Sequence, residues 1–140
     1  MRIPKTRKNK AFSLVELLIV IIIIAVLAAV AIPRFANSTN RSKESALKAD
    51  LKLYRNAIEL FKADTGVYPA TVADLAATSA PANGVDSSGT STAITAADWK
   101  GPYLNSLEND PVSGNSFTYS TTSGSVGKVT SSAGAPYNTW

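Results

Sequence analysis

The chain has 140 residues, a formal net charge of +4, and neither cysteine nor histidine. Without these two residue types it has no disulfides, thiolate nucleophiles or imidazole bases, and it lacks the usual nitrogen and sulfur ligands of zinc and haem. Its acidic residues show no close pairing of the kind used in acid–base catalysis. The sequence therefore predicts neither catalytic residues nor a metal site, and a secreted enzyme is a disfavoured class of function.

The positive charge is concentrated at the N-terminus. Residues 1–11 contain five cations and no acid, at Arg2, Lys5, Arg7, Lys8 and Lys10. Subtracting these five charges from +4 leaves the remaining residues near −1. The pI of 9.4 thus does not indicate dedicated nucleic-acid binding, which needs a basic surface on the folded part. By the positive-inside rule, the cluster predicts a cytoplasmic N-terminus.

A long apolar run follows this basic segment. Residues 17–32 are all apolar, and residues 12–32 make a stretch of 21 residues, or about 31 Å of helix. Because the hydrocarbon core of a bilayer is about 30 Å thick, the stretch predicts one membrane-spanning helix with its C-terminal side across the membrane. A cleaved secretory signal is the alternative, since Ala28, Ala29 and Ala31 imitate its cleavage site, but the run is too long for that class.

One carboxylate, Glu16, lies near the start of the apolar run. An ionised side chain at the centre of a bilayer costs roughly 2.5 to 3.5 kcal/mol on insertion scales, so its position needs a reason. The simplest reason is a plain signal anchor, in which the carboxylate sits about one turn inside the apolar zone and snorkels to the headgroups. From the residues alone, this interpretation competes with a specific functional role for the charge.

The helical pattern resumes after Pro33, where the missing amide proton and the proline ring predict a kink. Apolar residues then recur every three or four positions, at Leu47, Leu51, Tyr54, Ile58 and Phe61. This spacing predicts an amphipathic helix whose apolar face packs on a core. Gly66 predicts that the helix ends near residue 65.

The remainder predicts a short helix and a small sheet. Thr71 and Asp74 form a capping-box pattern for a helix that ends near Ala77, and the Ser- and Thr-rich residues 78–97 predict a surface loop. Strand signals occur at 101–104, 117–119 and 126–132, with turns at 110–115 and 122–125. The predicted class is α+β, a long N-terminal helix packed against a small C-terminal antiparallel sheet. Five aspartates are expected to be solvated or to cap helices, namely Asp64, Asp74, Asp86, Asp98 and Asp110.

Residues 10–20, with the sequence KAFSLVELLIV, resemble the class III signal of type IV pilins and of the related pseudopilins. The resemblance implies that residues 1–11 are a cytoplasmic leader and that a prepilin peptidase cuts between Ala11 and Phe12. It also implies that the new amino group of Phe12 is methylated. The family usually has glycine before the cut, whereas this chain has alanine, which is small enough for the same pocket.

The resemblance also implies a role for Glu16 in assembly. In assembling relatives, the glutamate four residues past the cut pairs with the N-terminal amine of a neighbouring subunit and sets the axial register. Within one helix, Phe12 and Glu16 are themselves neighbours at i, i+4 spacing. An intrachain pair is therefore the alternative, and the sequence does not decide between them.

The rest of the chain resembles the major pseudopilins of type II secretion more loosely, in TGVYP at 65–69, WKGPYL at 99–104 and the Asp110-Pro111 pair. Those proteins usually carry an acidic calcium loop near the C-terminus. No acidic residue follows Asp110 in this chain, and calcium needs several oxygen ligands, commonly carboxylates. We therefore predict no cofactor, with calcium as the alternative, and the missing acidic loop favours a pilin over a pseudopilin.

The leading hypothesis is a structural subunit of a type IV filament, with residues 12–32 as membrane anchor and filament core and residues 33–140 as a periplasmic or extracellular head. The resemblance implies a homopolymer that is stored in the bacterial inner membrane before it is assembled. It also implies three partners: a prepilin peptidase and methyltransferase, an inner-membrane assembly platform, and a cytoplasmic assembly ATPase, because the chain has no phosphate-binding motif of its own. The alternatives are a major pseudopilin of type II secretion and a membrane-anchored binding module formed by residues 33–140.

Overall fold

A computed structural model describes residues 12–140, which form two compact units, one ending at Thr39 and the other comprising Asn40–Trp140. The elements in chain order are α1 (Leu14–Thr65), β1 (Tyr68–Pro69), a short 3-10 helix (Val72–Ala76), β2 (Asn83–Val85), β3 (Ser91–Ala93), β4 (Thr118–Tyr119), β5 (Val129–Thr130) and a second 3-10 helix (Tyr137–Thr139). A long N-terminal helix is thus followed by small antiparallel sheets, which confirms the predicted α+β class.

Helix α1 ends at Thr65, as the following Gly66 predicts. Gly66 has a φ of +77°, and its N–H donates to the carbonyl of Lys62 at 2.9 Å. A residue without Cβ adopts this left-handed conformation without steric cost, so it closes the last turn of the helix. At the other end α1 begins at Leu14, two residues after the predicted start at Phe12. Pro33 lies within the bounds of α1, and the kink there stays a prediction.

The apolar face of α1 forms the core of the second unit, as its spacing predicts. The five core residues predicted on this helix each expose 2% of their surface or less. Phe117 and Val129, from the C-terminal part of the chain, pack on this face, and the ring centroids of Tyr54 and Phe117 lie 4.8 Å apart. Each large apolar side chain buried in this way contributes about 1.5 to 3 kcal/mol. The C-terminal segments are therefore held on the helix by side-chain packing.

The prediction of a surface loop at 78–97 is wrong in part, because the strands β2 and β3 lie within it. β2 pairs antiparallel with both β1 and β3, and the connection between β2 and β3 is a turn in which the Asp86 carboxylate accepts the N–H groups of Ser88 and Thr90. All three side chains of β3 are exposed. A strand with no buried face has no apolar alternation, so the periodicity that identifies strands is missing from its sequence.

Two other strand predictions need correction. Residues 101–104 form no strand; the N–H groups of Tyr103 and Leu104 instead both donate to the carbonyl of Leu75, each at 2.9 Å. The predicted strand 126–132 is reduced to β5, which pairs with β4. It ends early because the backbone N–H groups of Ser132 and Ala133 donate to the side chain of Asp110. These are contacts between distant segments, which local patterns do not reveal.

Tyr54 joins α1 to residue 108 through its hydroxyl group, which accepts the N–H of Glu108 at 2.8 Å and donates to its carbonyl at 2.9 Å. We predict that Tyr54→Phe lowers the free energy of unfolding by about 1 to 3 kcal/mol, because two backbone groups lose their partner. Thermal unfolding of the full chain in detergent, followed by circular dichroism, measures this loss. Tyr137→Phe is the matched control, since the Tyr137 hydroxyl donates only to the side chain of Glu44 at 3.1 Å, and an equal loss in both variants would contradict the prediction.

Candidate functional site

The N-terminal half of α1 presents an apolar surface without protein contacts. The large apolar side chains between Phe12 and Ile32 expose from 46% of their surface, at Leu18, to 86%, at Phe12. The most apolar window of 18 residues in α1 has a mean hydropathy of 3.3, and none of it is buried. An apolar surface of this size is stable only against lipid or against other apolar helices. This segment is therefore the principal candidate for membrane insertion and for contact between subunits.

Glu16 is part of a capping arrangement at the start of α1. Its Oε2 accepts the N–H of Ser13 at 3.0 Å, and the hydroxyl of Ser13 accepts the N–H of Val15 at 3.3 Å. The carbonyl of Ser13 accepts the N–H of Leu17 at 3.2 Å, so the helical hydrogen bonds begin there. The bond from the Ser13 N–H to the Glu16 side chain is the glutamate half of a capping box, whereas the Ser13 hydroxyl caps the N–H of Val15, one residue earlier than in that motif. The glutamate also lies favourably near the positive end of the helix dipole.

This local role of Glu16 was missed in the sequence, although the signal was present. The spacing Ser13-x-x-Glu16 before an apolar run is the usual capping-box pattern. The described contact occupies one carboxylate oxygen, Oε2, on the chain's own backbone. The carboxylate thus satisfies a backbone N–H that no helical carbonyl accepts, whether or not it also pairs with an amine.

The predicted processing site lies at the edge of the described structure. Ala11, on the leader side of the predicted cut, lies outside the described residues, as does the rest of the leader. Phe12 precedes α1 and is 86% exposed. Cleavage before Phe12, methylation of its amine and the kink at Pro33 all stay predictions.

Asp110 is not solvated, contrary to the sequence-based expectation. Its side chain is fully buried, and six donors from two segments surround it. The donors are the backbone N–H groups of Val112 and Ser113 on Oδ1, and the hydroxyl of Ser131, the N–H and hydroxyl of Ser132 and the N–H of Ala133 on Oδ2. The backbone of Asp110 also pairs with Gly114 and Asn115 across the turn. The carboxylate therefore ties the 110–115 turn to residues 131–133.

The electrostatics of Asp110 follow from these contacts. Burial on its own would raise the pKa of the carboxyl group. The hydrogen bonds from the Ser131 hydroxyl and from the amides of Val112, Ser113 and Ala133 outweigh burial and hold the pKa below its ordinary value. Every one of these contacts is a donor, so they occupy the oxygen lone pairs that a cation would need.

The surroundings of Asp110 do not supply a metal site. Within residues 12–140, no three side chains of the His, Cys, Asp or Glu types lie close enough together to hold a metal ion. A calcium ion takes six to eight oxygen ligands. The hydroxyl and amide groups around Asp110 fit an ionised carboxylate that is held by hydrogen bonds and joins two segments, rather than a cation site.

The C-terminal residues are fastened to the basic side of α1 within the second unit. The Lys48 ammonium lies 4.3 Å from the ring centroid of Trp140, and the Arg55 guanidinium donates to the carbonyls of Val129, at 3.3 Å, and Trp140. Tyr137 packs edge-on against Trp140 with ring centroids 5.0 Å apart. These contacts, together with Asp110, fix the last third of the chain on the helix.

Two family models match this chain. One, described as the prokaryotic N-terminal methylation motif, matches residues 6–32, and the other, described as type II secretion system protein G, matches residues 34–136. No solved structure matches the chain. Both families consist of structural subunits and not of enzymes, which confirms the prediction that the chain is not an enzyme.

Curated relatives include proteins of both filament types. The chain is 29% identical over 65 residues to type II secretion system core protein G of Pseudomonas aeruginosa, covering 46% of each chain. It is 43% identical over 61 residues to the type IV major pilin protein PilA of Myxococcus xanthus, covering 44% of this chain and 28% of that protein. It is 46% identical over 51 residues to the type IV major fimbrial protein FimA of Dichelobacter nodosus, covering 36% and 33%. The matches thus span half the length of these relatives or less.

Proposed function

We propose that this chain, which belongs to the type II secretion system protein G family, is a structural subunit of a type IV filament and polymerises through its N-terminal helix. The observation that carries the proposal is the bare apolar segment from Phe12 to Ile32, which coincides with the N-terminal methylation motif. Its side chains have no protein partner in either unit of the chain as described. A stable assembly that buries them is a filament of many parallel helices.

The proposed route to the filament starts in the inner membrane. The basic leader keeps the N-terminus in the cytoplasm, the apolar segment spans the bilayer, and residues 33–140 lie on the far side. A prepilin peptidase removes residues 1–11 and methylates Phe12. An inner-membrane platform, driven by a separate cytoplasmic ATPase, then moves the subunit out of the bilayer, and its apolar surface exchanges lipid for neighbouring helices.

Processing is tested by intact-mass analysis of the native protein. We predict a mature chain that lacks residues 1–11 and carries one added methyl group. Ala11→Gly should be processed like the wild type, because it restores the residue usual in the family, whereas Ala11→Leu should accumulate uncut, because its side chain is too large for a pocket shaped for glycine or alanine. A full-length mature chain would contradict the proposal and favour the membrane-anchored binding module.

A subunit of a secretion pseudopilus is the second candidate. One observation favours a pseudopilin and another favours a pilin. The match of the type II secretion protein G model to residues 34–136 supports a pseudopilin. The absence of any acidic residue after Asp110 supports a pilin, because the acidic calcium loop usual in major pseudopilins has no counterpart in the sequence. Deletion of the gene separates the two. Loss of surface filaments with unchanged secretion indicates a pilin, and loss of secreted proteins with unchanged surface filaments indicates a pseudopilin.

A further inference from the structure

The second unit carries an exposed stripe on the side of α1 away from its core. The stripe consists of Ala46, Ala49, Leu53, Asn56, Leu60 and Ala63, all of them exposed. Leu53 and Leu60 expose 51% and 58% of their surface, although leucines of the neighbouring face, such as Leu51, are almost fully buried. Two leucines set among small residues on an open helix face are not explained by the core of this chain.

The stripe has the spacing of a helix-packing seam. The intervals between its residues alternate between three and four positions, so the pattern repeats every seven residues. This is the spacing of apolar positions in helices that pack side by side with a small left-handed crossing angle. Small residues beside each leucine also allow two helices to approach closely. The seam therefore fits another helix better than a sheet or a small molecule.

The charged residues beside the stripe favour some arrangements of two packed copies over others. Lys52 and Glu59 lie on one flank, and Asp50 and Asp64 on the other. In a parallel pair without offset, the flanking positions five residues apart meet, so Glu59 faces Asp64 of the other copy, and like charges repel. In an antiparallel pair each flank faces itself, so the two aspartates repel on one flank while Lys52 and Glu59 attract on the other. Each of these two arrangements therefore contains a like-charge contact.

An offset of seven residues, about 10.5 Å along the helix, removes this conflict. It keeps the stripe in register, because residue 53 then meets residue 60 of the other copy. On one flank Lys52 lies opposite the neighbouring copy's Asp64, and on the other flank the neighbour's Lys52 lies opposite Asp50. The Tyr103 hydroxyl, which donates to Asp64 Oδ2 at 2.8 Å, holds that carboxylate in place.

We propose that this stripe is a docking surface for a second copy of the chain, parallel to the first and offset by seven residues. The inference rests on the proposed function as a filament subunit. A contact offset along its axis cannot close into a dimer and instead continues from copy to copy, which produces a filament. Stable interfaces bury about 1,200 Å² or more, and six side chains fall well short of that. The stripe therefore acts together with the apolar segment and does not hold a dimer alone.

The test uses cysteines, because the chain has none of its own. The full-length double variant Leu53→Cys/Leu60→Cys is expressed as the only copy, and its filaments are sheared from the cells and oxidised. The offset predicts disulfides between residue 53 of one copy and residue 60 of the next, and hence a covalent ladder of trimers and longer species. Each single variant should then remain monomeric. Ser87→Cys, in the exposed turn between β2 and β3, is the control for random collision.

Each outcome bears on a different claim. Single-variant filaments that form disulfide dimers, with no ladder beyond the dimer in the double variant, would overturn the offset. Filaments that give no cross-links above the Ser87→Cys control would overturn the docking surface while leaving the proposed function intact. Failure of the wild-type chain to form any filament would overturn the proposed function itself.

Charge reversal provides a second test without cysteines. Lys52→Glu should reduce the yield of sheared filaments, because it places like charges opposite both Asp64 and Asp50 of neighbouring copies. Lys52→Glu/Asp50→Lys/Asp64→Lys should restore most of that yield, because both pairs are rebuilt with opposite sign. Circular dichroism of the membrane-extracted chains checks that both variants are folded. Equal yields for the single variant and the wild type would contradict the pairing of Lys52 with Asp64.

Discussion

Replacing Glu16 with valine should leave the chain in the membrane and keep it out of the filament. Insertion should be unchanged or improved, since an ionised side chain in the bilayer costs roughly 2.5 to 3.5 kcal/mol. Assembly should suffer because the amine that the proposed cleavage would expose on Phe12 loses its carboxylate. A charge-assisted hydrogen bond contributes about 1.5 to 3 kcal/mol, so we expect filament incorporation to fall roughly tenfold or more. The measurement compares the sheared filament fraction with the membrane fraction in a strain that carries only the variant.

Glu16→Gln separates the two roles of this side chain. A glutamine oxygen still accepts the N–H of Ser13 and preserves the capping box, but it carries no charge. If the charge pairs with an amine, Glu16→Gln should fail to assemble almost as severely as Glu16→Val. Ser13→Ala, which removes the hydroxyl that caps the N–H of Val15 and costs about 1 kcal/mol of helix stability, should still assemble. Normal filaments from Glu16→Gln would show that capping alone accounts for the residue.

The second large effect is expected at Asp110. Asp110→Ala removes the acceptor of six hydrogen bonds and leaves buried donors from two segments without partners. We expect a loss of about 3 kcal/mol or more in the free energy of unfolding, because each unsatisfied buried group costs about 1 to 3 kcal/mol. Asp98→Ala is the matched control, since Asp98 is exposed and its substitution should change stability by about 0.5 kcal/mol or less. Similar unfolding temperatures for the two variants in detergent would contradict the assigned role of Asp110.

The same carboxylate predicts a dependence of stability on pH. Its pKa is lower in the folded chain than in the unfolded chain, so its contribution is fully present above the unfolded value and is lost as the pH falls through the folded value. Asp50 has the opposite effect on the pH dependence of stability. Burial, followed by the nearby charges of Glu108 and Asp110, raises its pKa. The difference between the wild type and Asp110→Asn reports mainly Asp110, together with the smaller effect of its charge on the pKa of Asp50. That difference should shrink as the solution is made strongly acidic, and a constant difference across the acid range would contradict the prediction.

The parts of the fold predicted from the sequence are those set by local spacing. The core face of α1 follows from apolar residues three and four positions apart, and its end follows from Gly66. β2 and β3 were missed because backbone pairing holds them, β2 on β1 and β3 on β2, and a strand like β3 with every side chain exposed has no apolar period. The role of Asp110 was missed because four of its donors lie more than twenty residues further along the chain.

In the candidate site, too, the features with a local sequence pattern were predictable and the others were not. The apolar segment and Glu16 are evident from composition alone, because a single charge in such a run is unusual. The capping box was also available as a pattern, Ser13-x-x-Glu16, and the structure shows one of its hydrogen bonds directly. The exposed stripe was not recognised, since a leucine that recurs at helical spacing looks the same in sequence whether it meets a core or another copy.

The hydrogen bonds to Asp110 have a consequence for the compartments in which the second unit can fold. They close the chain between residues 110 and 133 into a loop, in a sequence that contains no cysteine. A covalent bridge across such a loop would depend on the redox state of the compartment and on an oxidising catalyst. A loop closed by a carboxylate depends on neither. Closure of this loop therefore needs no oxidising enzyme, whichever compartment residues 40–140 occupy.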